Sequence, residues 1–99
     1  MHGVKRIEIV IGTTHERDVV RALESIGVPG LTVFEVVSGR GDRGTRAGGE
    51  LSDAHSQRLL LTTCRPDQLD ELSAALEPLL RRFGGLCLIS DASVIRDEA

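Results

Sequence analysis

The sequence predicts an α+β sandwich made of two β–α–β halves joined by a long loop, and three observations carry that prediction. Strand-like runs, apolar and rich in β-branched residues or leucine, occur at 4–12, 31–38, 57–63 and 86–90. Apolar residues recur at helical spacing between Thr13 and Gly27, and again between Pro66 and Gly84. From Gly39 to about Ser56 neither period is present. Elements in this order build an antiparallel four-stranded sheet with both helices on one face, the ferredoxin-like arrangement.

The first strand, VKRIEIVIG, alternates at Ile7, Ile9 and Ile11 and predicts one buried face. Thr13 stands three residues before Glu16, the spacing of a capping box. Val19, Val20, Leu23 and Ile26 then mark an inner helix face, which Gly27 ends. Pro29-Gly30 turns the chain into LTVFEVVS, with Leu31, Val33 and Glu35 on one side and Thr32, Phe34 and Val36 on the other. The third strand is QRLLLTT. Pro66 suits the first turn of the second helix, whose inner face is Leu69, Leu72, Leu76, Leu79 and Phe83. Pro78 predicts a kink or a split in that helix. Gly84-Gly85 closes it, LCLIS is the fourth strand, and Ser93–Arg96 forms a short further strand or turn. The sheet face away from the helices is expected to carry Phe34, Val36, Leu60 and Thr62. A domain this small cannot leave such a face wet, so it should associate through it.

Composition removes several function classes. The chain's 99 residues allow one domain, 1–99, with one core. No apolar run reaches the ~18 residues a membrane span needs, and the N-terminus lacks the apolar stretch of a signal peptide, so a cytoplasmic protein is expected. There is no Trp or Tyr and the net charge is −3, which argues against single-strand stacking platforms and against phosphate-driven duplex binding alike. Cys64 and Cys87 form no ligand pair and read as buried, reduced thiols. His2, His15 and His55 are scattered and read as surface residues, so no metal site is expected. Ser52-Asp53-Ala54-His55 places hydroxyl, carboxylate and imidazole together only along the chain, which does not make a triad. Asp67, Asp70, Glu71 and Glu77 read as the solvated face of the second helix. No preorganised catalytic group emerges, and the chain reads as a non-enzyme.

The bias that needs explaining is glycine and arginine. All but one of the 12 basic residues are Arg, Lys5 being the exception, and five of the 11 glycines fall between Gly39 and Gly49. Ser38-Gly39-Arg40-Gly41-Asp42-Arg43-Gly44 leaves a strand directly. Glycines let the backbone approach a ligand and turn its N–H groups toward an anion. Arg40, Arg43 and Arg46 add planar forks suited to phosphate or carboxylate. The order is neither the dinucleotide fingerprint nor a P-loop. The alternative reading is a solvated loop, and Gly84-Gly85 likewise reads as a helix end or as a close approach to ligand. Arg96 reads as a phosphate partner or a plain surface cation.

These segments together resemble the PII signalling proteins, and within them the PII-like branch. The resemblance covers about 4 to 96 and rests on KRIEIVI at 5–11, RDVVRALESIGVPGLTVFEV at 17–36, SGRGDRG at 38–44 and FGGLCLISDASVIR at 83–96. SGRGDRG with FGG and SDA looks most like PII-like proteins linked to carboxysomes or bicarbonate transport. The resemblance implies a homotrimer with its sheets packed together in the middle and an adenine nucleotide in each cleft between subunits. It implies Gly30 and Thr32 near the base or ribose, and Thr62, Thr63 and Cys64 lining the base pocket. It implies phosphate contacts from the loop base (Ser38, Gly39, Arg40, Gly41, Arg43), from the glycine turn (Gly84, Gly85) and from Arg96. The loop at about 39–56 matches the flexible T-loop, whose Arg46, Glu50, Ser52 and His55 would meet a partner such as a bicarbonate transporter or a carboxysome-related protein.

Departures from the family pattern narrow the expected ligand. Without Tyr, tyrosyl modification is excluded. Asp42 stands about where PII proteins place the Gln that helps hold 2-oxoglutarate, and Phe83-Gly84-Gly85-Leu86 lacks the phosphate Lys. AMP or ADP is therefore expected over magnesium-ATP with 2-oxoglutarate. ATP alone, cyclic AMP and a bicarbonate co-ligand are the further candidates. The rivals are an ACT-like small-ligand module on the same strand order and a small trimeric ferredoxin-like enzyme.

Overall fold

A computed structural model describes residues 1–36, 38–41, 44–47 and 56–96. The elements are β1 (His2–Gly12), α1 (Glu16–Ile26), β2 (Thr32–Val36), β3 (Ser38–Gly41), β4 (Gly44–Ala47), β5 (Gln57–Cys64), α2 (Leu69–Phe83) and β6 (Leu86–Val94). Single 3-10 turns, Thr13–His15 and Pro66–Gln68, lead into the two helices. The main sheet runs β2-β5-β1-β6, with every neighbouring pair antiparallel. This is the ferredoxin-like order the periodicity predicts.

The core lies between the sheet and both helices. Ile7, Ile9 and Ile11 of β1 meet Leu60 and Cys64 of β5, Val19, Leu23 and Ile26 of α1, and Leu72 and Leu76 of α2 in one buried cluster. Each such side chain contributes about 1.5–3 kcal/mol through burial. Gln68, also buried, ties the helices together. Its Nε2 donates to the Ile26 carbonyl at 3.0 Å and its Oε1 accepts the Arg65 N–H at 2.9 Å. Gly27 ends α1 at φ 85°, a conformation that favours glycine.

Several expectations are corrected. Leu60 and Thr62 face the helices, at 0% and 5% exposure, rather than the open face. The register pairs Ile9 with Leu60 and Ile7 with Thr62, so the open face takes Leu59, Leu61 and Thr63 instead. Phe34, paired with Leu59, does lie on it. The Thr13–Glu16 capping box does not form. The Thr13 hydroxyl is buried without a partner, and the Glu16 carboxylate is taken by Arg58 Nη1 at 3.0 Å. α2 is one helix across Pro78, so the split does not occur. Pro78 and Ala74, whose carbonyl loses its intrahelical donor, both stand on the exposed side, where water can satisfy that carbonyl. The last strand continues to Val94, with His2 pairing Val94, so no separate element begins at Ser93. Cys87 is half-buried rather than buried.

Within the stretch expected to lack regular structure, β3 and β4 pair antiparallel, with Arg40 opposite Thr45. Neither strand has an apolar face, so the pattern carries no sign of them. No described helix is long and apolar enough to cross a membrane.

Candidate nucleotide site

The register sorts the sequence-predicted site residues into two groups at opposite ends of the sheet. The first group gathers where β1 begins and β5 and β6 end. Thr62 pairs with Ile7, Thr63 with Arg6 and Cys64 with Lys5, while Thr32 opens β2 opposite Leu61. Arg96 follows β6 by two residues. Thr62 and Gly30 meet directly, because the Thr62 hydroxyl donates to the Gly30 carbonyl and fixes the entry to β2. Cys64 sits in the core at 1% exposure, which leaves its backbone as the part that can face a ligand. Burial raises its thiol pKa above the ordinary range, Arg65 and Lys5 pulling it down and Asp67 pushing it up. Burial alone raises the Cys87 thiol.

The same end carries cations that the sequence reading passed over. Lys5 Nζ lies 2.6 Å from Asp91 Oδ1, and Arg65 Nε lies 3.0 Å from Asp67 Oδ1. Arg6 Nε donates to Ser90 Oγ at 3.1 Å and stands 3.5 Å from Glu8 Oε1. Lys5 and Asp91 are 86 positions apart, so only the β1–β6 register could reveal the pair.

The second group gathers where β1 and β2 end and β5 and β6 begin. Val36 pairs with Gln57 and Gln57 with Gly12. The chain then enters β3, which is Ser38, Gly39, Arg40 and Gly41, and Arg46 lies in β4 opposite Gly39. Gly84 and Gly85, at φ 80° and 107°, lead from α2 into β6 at this same end. A Cβ on Gly85 would stand 2.6 Å from the Val10 carbonyl oxygen and 2.9 Å from Ile11 Cδ1. Close packing on β1 therefore demands Gly85 irrespective of any ligand. Arg43, Glu50, Ser52 and His55 lie outside the described residues.

From Cys64 to Gln57 the chain spans seven steps of β5, about 23 Å at roughly 3.3 Å per residue. The two ends of β5 that mark the groups thus stand far apart, and Ser38–Gly41 and Arg46 belong to a second, two-stranded sheet of β3 and β4. Two recesses among the described residues lie elsewhere. One is an apolar groove of about 380 Å³ between α2 and β6, lined by Leu72, Leu76, Leu80, Cys87 and Ile89. The other runs along α1 past Thr13, Arg17 and Arg21. Neither contains a predicted nucleotide contact.

The sequence reading also missed the corner around His15. Its ring is half-buried and stacks on Phe83 with centroids 3.9 Å apart, so it is not the plain surface residue expected. No local motif announces that contact, since His15 stands in the 3-10 turn before α1 and Phe83 ends α2.

Solved structures with this fold include CPII, a nitrogen regulatory PII-like protein from Thiomonas intermedia K12, bound to ADP, AMP and bicarbonate. It matches at 21% identity and TM-score 0.87, over 96% of this chain and 91% of that one. The apo form of the same protein matches at 18% identity and TM-score 0.78, covering 97% and 96%. A PII-like signalling protein from Thermus thermophilus matches at 19% identity and TM-score 0.77, covering 95% and 91%. No curated protein sequence gives a significant match. Residues 4–99 match the family model described as nitrogen regulatory protein P-II, and the chain belongs to that family.

Proposed function

We propose that this chain is a non-enzymatic sensor that binds ADP or AMP in clefts between the subunits of a homotrimer. The observation that carries the reading is the separation of the two residue groups. No single chain brings Thr32, Thr63 and Arg96 to the glycine turn and the Ser38–Gly41 strand. A neighbouring copy packed on the open sheet face supplies the missing half. That face offers Phe34, Leu86 and Leu88, each about half exposed, as the apolar surface for such packing.

In this reading Gly30, Thr32, Thr62, Thr63 and the Cys64 backbone meet the base and ribose. Ser38, Gly39, Arg40, Gly41, Arg43, Gly84, Gly85 and Arg96 meet the phosphates. Gly85 passes straight into Leu86 without a lysine, which favours a mono- or diphosphate over magnesium-ATP with 2-oxoglutarate. Bicarbonate is the second ligand, as it is in the CPII complexes from Thiomonas. Ligand at Arg40 biases what the loop at about 39–56 presents, and a ligand can shift that equilibrium only by its differential affinity for the two states. Arg46, Glu50, Ser52 and His55 then meet the regulated partner, a bicarbonate transporter or a carboxysome-related protein, in the cytoplasm.

Calorimetry with ADP, AMP, ATP and cyclic AMP, each with and without bicarbonate, tests the reading. ADP or AMP should bind tightest. Removing the Arg40 fork in Arg40→Ala should weaken ADP by about 10- to 100-fold, the range of a charge-assisted hydrogen bond to phosphate. No binding of any nucleotide at millimolar concentration would overturn the sensor reading, and an Arg40→Ala protein equal to wild type would take Arg40 out of the site.

A further inference from the structure

The corner between β1 and α1 carries a contact that neither the fold nor the nucleotide reading uses. His15 lies on Phe83 with ring planes 6° from parallel and centroids 3.9 Å apart. Phe83 is the last residue of α2, and Gly84 and Gly85 follow it at left-handed φ. The Arg82 guanidinium carbon stands 5.3 Å from the centroid of the same ring. Two residues before His15, the Thr13 N–H donates to the Ser56 carbonyl at 2.8 Å, where the chain returns into β5. One residue after it, Glu16 accepts Arg58 Nη1 of β5. Residues 13–16 therefore touch both the re-entry of the chain into β5 and the exit of α2 into β6. The glycines have no side chains with which to fix their own turn. What orders it from the helix side is the Gly84 N–H bond to the Leu80 carbonyl at 2.8 Å and the ring of Phe83.

We propose that His15 is a positioning residue for the nucleotide site: by clamping Phe83 it sets the Gly84–Gly85 turn before ligand arrives. The inference rests on the nucleotide reading above. Without the clamp the turn keeps only its packing on β1 and the Gly84 hydrogen bond, so part of its ordering falls at the moment of binding and affinity drops although no contact to ligand is lost. Only the stacked ring matters in this role, and a phenyl group should replace it.

The test is ADP calorimetry on wild type, His15→Leu, His15→Phe and Leu69→Ala, at a temperature where circular dichroism shows each folded. Leu69 packs against the core at the opposite end of α2, so Leu69→Ala controls for lost stability alone. His15→Leu should weaken ADP by about fivefold, within the range an aromatic pair contributes. His15→Phe should stay within about twofold of wild type, and Leu69→Ala should melt earlier yet bind equally well. His15→Leu binding as wild type does, His15→Phe failing to rescue, or Leu69→Ala weakening ADP equally would each overturn the inference while leaving the nucleotide reading intact. Wild type that binds no ADP overturns the nucleotide reading, and the inference falls with it.

Discussion

Gly85 and Gly30 show how differently two glycines near one proposed ligand answer to substitution. Gly85 is held at φ 107°, and an added Cβ would lie 2.6 Å from a backbone oxygen that cannot swing away. Both the dihedral strain and the collision oppose Gly85→Ala, at a combined cost of about 3 kcal/mol. A Cβ on Gly30 meets nothing within 4 Å, so Gly30→Ala should change stability by no more than about 0.5 kcal/mol. Urea unfolding should separate the two variants clearly. The contrast makes Gly30→Ala the cleaner probe of the ligand, because weaker ADP binding by a protein of unchanged stability can come only from crowding or stiffening at the site. Gly85→Ala cannot be read that way, since its packing against β1 accounts for the glycine without any nucleotide.

At the scale of elements, α2 crosses its proline because packing on both sides holds it. Leu72 and Leu76 are buried before Pro78, and Leu79, Leu80 and Phe83 pack against the core beyond it. Those anchors outweigh the missing N–H, whose acceptor lies on the wet side. Pro78→Ala should therefore restore a hydrogen bond without disturbing the core and stabilise the protein by about 1–3 kcal/mol, visible as a higher urea midpoint. The strands and helices were legible because each main element carries an apolar face of the right period. What the pattern could not convey was pairing. Leu59, Leu60 and Leu61 are consecutive, so either parity of β5 satisfies the sequence, and only the pairing of Ile9 with Leu60 settles which leucine is core. β3 and β4 were invisible for the complementary reason, having no apolar face. The candidate site was legible as a set of residue types, glycines beside arginines and hydroxyls on a strand. Its division between two sheet ends was not, because that follows from the register.

The whole molecule is dominated by a sheet with one face covered. Helices protect the side of Ile7, Ile9 and Leu60, while Leu86 and Leu88 on the other side remain 52% and 54% exposed and Phe34 46%. Val10 pairs with Leu59 and Leu86, and Leu59 with Phe34, so one apolar row runs across β6, β1, β5 and β2, while Glu8 stands between Leu61 and Leu88 in the next. In the proposed trimer this is the surface that closes each cleft, which makes assembly and ligand binding one event at the level of structure. Leu88→Glu separates the alternatives. It places a carboxylate in the face without touching the helix-side core, and in a trimer the charge enters three times. Burying each unpaired carboxylate would cost several kcal/mol, far more than the leucine's own burial returns. The variant should keep its helical and sheet content by circular dichroism. By analytical ultracentrifugation it should run as a monomer at micromolar concentrations where wild type is a trimer, and ADP binding should fall at least 100-fold, each half-site being left without its partner. A Leu88→Glu protein that remains a trimer would move the interface off this face. One that becomes a monomer yet binds ADP as wild type does would show that a single chain completes the site, and the two-ended cleft would have to be abandoned.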